Sequence, residues 1–155
     1  MIAEVAVAAD PASIGAMMTP YLRELTPDGP AVYPRLALYW EDRQRVPYVI
    51  RLADADVGFA LIREHMDARL HEMAEFYVGP AWRRRGIGRQ AVQDLFARHR
   101  GFWHLQILED NWAARAFWRS VVPPPVEETH HVAANGRHFL VMQFCAACAA
   151  DAHAR

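Results

Sequence analysis

The sequence predicts an α/β fold in which a mixed, mostly antiparallel central sheet carries helices on both faces. Three observations lead there. The period of apolar residues gives the element order β, α(α), βββ, α, β, α, ββ. Three consecutive hairpin-type strands inside that order argue against an all-parallel sheet. The chain has 155 residues and is 53% hydrophobic, enough to bury one core without staples. The expected domain runs over 1–146, followed by an Ala-rich tail over 147–155.

Ile2 to Ala8 reads as a short strand, and Asp10-Pro11 opens a helix, since proline suits a first helical turn. Ile14, Met17, Met18, Tyr21, Leu22 and Leu25 then recur at helical spacing. A loop with Pro27, Gly29, Pro30 and Pro34 precedes a second short helix at Leu36 to Trp40. Val46 to Ala53 and Val57 to Ile62 form a hairpin around Asp54-Ala55-Asp56, and Leu70 to Val78 is a further strand ended by Gly79-Pro80. Within 82–100 the stripe Ile87, Ala91, Val92, Leu95 and Phe96 marks a helix, closed by Gly101. Phe102 to Leu108 is a strand, and Asp110 or Asn111 caps the next helix. Pro123-Pro124-Pro125 stops that helix, and Val126 to Phe144 is a last hairpin turning at Asn135-Gly136.

Composition excludes more than it selects. A net charge of −1 gives no global case for nucleic-acid or membrane binding. Every basic chain is Arg and none is Lys, which reads as a GC-rich, bacterial coding bias. Met1 to Asp10 carries Glu4 and no basic start, so it does not read as a signal peptide, and no apolar run reaches membrane-spanning length. The expected location is the cytoplasm. Cys145 and Cys148 form a lone CxxC without a second ligand pair, so the expectation is no metal and an incidental pair of reduced thiols. His130, His131 and His138 are expected at the surface.

The informative segment is Val78-Gly79-Pro80-Ala81-Trp82-Arg83-Arg84-Arg85-Gly86-Ile87-Gly88-Arg89. A strand ends, the chain turns, and a helix starts at the glycines. Backbone N–H groups at a helix start lack intrahelical partners, and the helix dipole adds to their pull on an anion. Glycine lets the backbone approach a guest closely, and Arg83, Arg84, Arg85 and Arg89 add forked phosphate donors. A diphosphate is the natural guest. Gly86-Ile87-Gly88-Arg89-Gln90-Ala91 also fits the dinucleotide fingerprint, with Glu109 in the place of its acidic residue. Against that, Pro80 and three arginines separate strand from glycine, and too few βα units follow.

Arg83-Arg84-Arg85-Gly86-Ile87-Gly88 resembles the (Q/R)xxGx(G/A) acyl-CoA pyrophosphate loop of the GNAT (GCN5-related N-acetyltransferase) superfamily. Asn111-Trp112-Ala113-Ala114-Arg115-Ala116-Phe117-Trp118 is similar to that family's Asn-x-x-Ala-x-x-Phe-Tyr helix. The resemblance implies an acyl-CoA-dependent N-acetyltransferase, with acetyl-CoA as co-substrate and an amine acceptor as partner, working as monomer or homodimer. It implies a bulged, splayed strand at Phe76, Tyr77 and Val78 for the pantetheine arm. Arg83, Arg84, Arg85, Gly86, Ile87, Gly88 and Arg89 would take the pyrophosphate, and Asn111 and Trp118 would flank the thioester.

Amine acylation needs a base to free the nitrogen lone pair and a donor for the developing oxyanion. Glu72 and Glu75 both fall where family members carry a base. Three apart, they face opposite ways in a regular strand, so only one reaches the cleft unless a bulge changes the count. Apolar neighbours Ala74 and Phe76 favour Glu75, because desolvation raises a carboxyl pKa; His71 is a third candidate. Trp118 stands where the family often has a Tyr that protonates the thiolate, and indole N–H is no acid. Tyr77, Tyr33 or water would have to serve. Val121-Val122-Pro123 replaces the family's Gly-Phe. These departures motivate a second reading, a non-catalytic acyl-CoA-binding module. The acceptor would lie between the Tyr21 to Tyr39 loops and the last hairpin, where Arg35, Arg43 and Arg45 mix with Asp28, Glu41 and Asp42 and leave its charge open.

Overall fold

Alternation of buried side chains puts two separate cores on the two faces of one sheet. The structure is a computed structural model and describes residues 2–148. Its elements are β1 (Ala3–Val7), α1 (Ala12–Leu25), α2 (Leu38–Glu41), β2 (Arg45–Leu52), β3 (Ala55–His65), β4 (Leu70–Val78), α3 (Ile87–Arg98), β5 (Gly101–Leu108), α4 (Trp112–Val121), β6 (Glu127–Val132) and β7 (His138–Ala146). The seven strands lie in the order β1-β2-β3-β4-β5-β7-β6. Only β4 and β5 run parallel; the other neighbours are antiparallel. The α/β fold with a mostly antiparallel sheet is therefore present.

In β2, Tyr48 and Ile50 point to one face and Val49 to the other. The first face packs under α3 and α4 through Ala91, Val92, Leu95, Phe96 and Trp118. The second packs under α1 and α2 through Ile14, Met18, Leu22 and Tyr39. Burying both faces explains the near-continuous apolar runs of β2 and β3. Strand β6, exposed along its whole length, closes the far edge with Glu and His side chains, which blunts edge pairing.

Two local features have simple causes. Residues 80–82 make a short 3-10 turn, and α3 begins at Ile87, at the glycines where the sequence placed a helix start, because Arg84 and Gly86 take left-handed backbone (φ 61° and 79°). At the other end, Ala147 is left-handed (φ 52°) and folds the chain back after β7. Cys145 and Cys148 thereby come close together, with Cα atoms 5.8 Å apart. Most of the tail, 149–155, lies outside the described residues. Among the described residues no helix is long and apolar enough to cross a membrane.

Candidate active site

Strand β4 pairs with β5 only from Leu70 to Met73, opposite Phe102 to Leu105. Beyond that point β5 pairs only with β7, so the β4 edge from Ala74 to Val78 faces an opening rather than a strand. A register shift against β3 accompanies the split: Leu61 pairs Glu75 while Ile62 pairs Met73, which leaves Ala74 as the extra residue of a bulge. The bulge inverts the expected alternation. Glu72 and Glu75 both turn toward the α1 side and line one cavity. The expectation that only one carboxylate enters the cleft is corrected, by the very bulge that could change the count.

Two adjoining cavities flank the opening. The first, about 540 Å³, is bounded by Tyr77, Val78, the α3 start and α4. The second, about 420 Å³, holds Glu72 and Glu75. Tyr21, Phe76, Asn111 and Trp118 belong to both linings. Phe76 stacks on Phe117 (5.7 Å between ring centres) and meets Trp118 edge to face (5.3 Å), making an aromatic wall between them. Asn111 caps α4, its side-chain oxygen accepting from Ala114 N–H at 3.1 Å.

At the start of α3 the first intrahelical bond is Gln90 N–H to the Gly86 carbonyl, 3.0 Å. The N–H groups of Ile87, Gly88 and Arg89 thus have no intrahelical acceptor. The two glycines serve different ends. Gly86 supplies the positive φ, whereas a Cβ on Gly88 would sit 3.2 Å from the Phe117 ring. The arginines also divide. Arg84 and Arg89 line the first cavity. Arg83 lines it too, but its fork grips Glu24 at 2.6 and 2.8 Å and its Nε donates to the Val78 carbonyl at 2.8 Å. Arg85 lies over the Trp82 ring, 5.5 Å from its centre, and is not part of the lining. The Ile87 side chain is in the core, so only its backbone faces the turn.

Glu75 accepts a hydrogen bond from the Tyr21 hydroxyl, with the Tyr33 hydroxyl close by. Burial pushes the Glu75 carboxyl up to about 7; the two tyrosines oppose this, and the charge of Glu72 adds to it. Burial and the Glu75 charge in turn hold the Tyr21 hydroxyl well above its usual range. Glu72 is differently placed. His65 is 3.2 Å from it and Arg63 3.8 Å, so its carboxylate is engaged by two side chains of β3. His71 faces the opposite side of the sheet, where it and His99 both contact Glu64, which removes it as a base candidate. Ligand atoms of Glu64, His71 and His99 lie within 4.8 Å of one another and could hold a cation. Their second nitrogens are engaged: His71 Nε2 donates to the Arg100 carbonyl (3.0 Å) and His99 Nε2 shares a hydrogen bond with Tyr48 (2.7 Å).

Sequence reasoning missed Tyr21 as a site residue, since it falls on the apolar stripe of α1. Its hydroxyl was the available signal, because a buried phenol needs a partner. Glu24, the clamp on Arg83, carried no signal, lying 59 residues away.

The family model for the acetyltransferase (GNAT) family matches residues 14–121. No curated protein matches the chain. Solved structures share its fold. The ribosomal-protein-S18-alanine N-acetyltransferase of Escherichia coli is 14% identical, with a TM-score of 0.69 over 97% of this chain and 98% of that one. The yncA protein of Salmonella typhimurium, solved with its cofactor acetyl-CoA, is 21% identical, with a TM-score of 0.69 over 97% of both chains. A spermidine N-acetyltransferase chimera, from Vibrio cholerae and hSSAT, is 12% identical, with a TM-score of 0.70 over 94% of this chain and 96% of that one. By the match over residues 14–121, the chain belongs to the acetyltransferase (GNAT) family.

Proposed function

We propose that the protein transfers an acetyl or short acyl group from acyl-CoA to a primary amine, by direct attack within a ternary complex. One observation carries this reading: a carboxyl poised near neutrality, Glu75, opens onto a cavity that adjoins a second cavity built at a helix N-terminus. The residues fit an acyl-CoA. The free N–H groups of Ile87, Gly88 and Arg89, with the Arg84 and Arg89 side chains, would receive the pyrophosphate. The unpaired β4 edge through Phe76, Tyr77 and Val78 would bind the pantetheine amides as an added strand does. The Phe76–Phe117–Trp118 wall would bring the thioester beside the second cavity.

Glu75 would take a proton from the bound ammonium, directly or through water, and free the nitrogen lone pair. The nitrogen attacks the thioester carbon, the C–S bond breaks, and the sulfur leaves with the electron pair. The amide nitrogen sheds its second proton, and the thiolate takes one up. Tyr21 holds the Glu75 carboxylate in place, as does Tyr33 from the acceptor side. Trp118 contributes shape and apolar surface rather than a proton, so Tyr77 or water supplies the thiol proton. A pure binding module has no use for a carboxyl held near pH 7 at this point, which favours catalysis over the sensor reading.

The test has two parts. Acetyl-CoA should raise the melting temperature by mass action, and NAD and ATP should do so far less. CoA thiol release should then depend on an added amine. Equal stabilisation by NAD would revive the dinucleotide reading.

A further inference from the structure

The cavity that holds Glu75 is basic. Arg35, Arg45, Arg63 and Arg137 line it together with Glu72 and Glu75. Each arginine comes from a different part of the fold: the α1–α2 connection, the start of β2, the outer half of β3 and the β6–β7 turn. No local charge run brings them together, so their meeting belongs to the tertiary structure. Two are matched. Arg45 sits 3.3 Å from Asp42, and Arg63 is 3.8 Å from Glu72. Arg35 and Arg137, both in the lining, form no ion pair among the described residues. Asp28 and Glu41, which left the charge open in the sequence, are absent from the lining.

Guanidinium groups stay charged at any physiological pH, whereas Glu75 is about half neutral near pH 7. The cavity therefore holds positive charge in excess of its carboxylates, beside a base meant for a cationic ammonium. An ammonium alone would be repelled there. A molecule with an ammonium at one end and an oxyanion at the other satisfies both ends. A planar fork binds carboxylate or phosphonate through two parallel hydrogen bonds. A cavity of about 420 Å³ is of small-molecule size.

Resting on the acyltransferase reading, we propose that the acceptor is a small zwitterionic amine. Arg35 and Arg137 hold its carboxylate or phosphonate while its amine reaches Glu75.

The test pairs each amino acid or aminoalkylphosphonate with the amine lacking the acidic group, at saturating acetyl-CoA, reading CoA thiol release. The anionic member should be preferred at least tenfold in kcat/KM. Arg35→Ala combined with Arg137→Ala should raise KM for the anionic member about tenfold or more and erase the preference, leaving acetyl-CoA affinity and melting temperature unchanged. Arg35→Lys with Arg137→Lys should restore part of it. Equal or better use of the uncharged-tail amine overturns the acceptor class while the acyltransferase reading stands. Acetyl-CoA binding with no turnover of either series also overturns the acceptor class. Failure to bind acetyl-CoA at all overturns the underlying reading instead.

Discussion

Replacing Glu75 by glutamine should make the protein more stable at alkaline pH and no more stable at pH 5. The folded carboxyl titrates at about 7 against an ordinary 4.5. Below pH 4.5 both folded and unfolded chains carry the proton, and the site costs nothing. Between 4.5 and about 7 the unfolded chain ionises first, so wild-type stability falls as pH rises. Above 7 the full penalty stands, about 3 kcal/mol at 1.36 kcal/mol per pH unit. Glutamine never ionises, and its carbonyl can still accept from Tyr21. Its amide lacks an evident acceptor, which costs about 1–2 kcal/mol. The net gain at pH 8.5 is about 1–2 kcal/mol, or a rise in melting temperature of about 3–6 °C for a chain of this size. At pH 5 the variant should match wild type or fall below it. Thermal denaturation of both proteins from pH 5 to 8.5 decides the matter. A difference in melting temperature that is flat across that range would refute the burial argument.

Gly86→Glu and Gly88→Glu should each weaken acetyl-CoA binding tenfold or more by calorimetry, since a carboxylate would stand at the proposed phosphate site; unchanged affinity in a folded variant overturns that assignment. Glu72→Gln should lower kcat far less than Glu75→Gln, because Glu72 is held by His65 rather than facing the attacking nitrogen; the reverse order would hand it the base role. Asn111→Ala should cost about 1 kcal/mol in chemical denaturation through loss of the α4 cap.

The element order was legible because each strand and helix announces itself locally, through period, proline and glycine. The α3 start was legible for the same reason: Gly86 must take a positive φ, and such positions favour glycine. A bulge in β4 was expected only through the family resemblance, at Phe76 to Val78; its place at Ala74 was not legible, because register depends on what β3 places opposite, and nothing in Leu70 to Val78 encodes the slip. That single residue decides whether Glu72 and Glu75 share a cavity. The division of labour among the arginines was hidden likewise. Arg83, Arg84 and Arg85 are chemically alike in sequence, and only Glu24, brought in from α1, and the local turn that lays Arg85 over Trp82 set two of them apart. The charge of the second cavity stayed unreadable because its four arginines come from four separate elements.

If Glu75 is the base for amine acylation, the pH profile of kcat/KM for an accepted amine, measured on wild type and Glu75→Gln at saturating acetyl-CoA, will show it. Wild type should lose activity below an apparent pKa near 7, the value about which the carboxyl titrates. The variant should lose that limb, keep only the amine's own ionisation, and turn over about 10²- to 10⁴-fold more slowly with acetyl-CoA affinity unchanged. A variant that keeps both the wild-type rate and the limb near 7 would contradict the account.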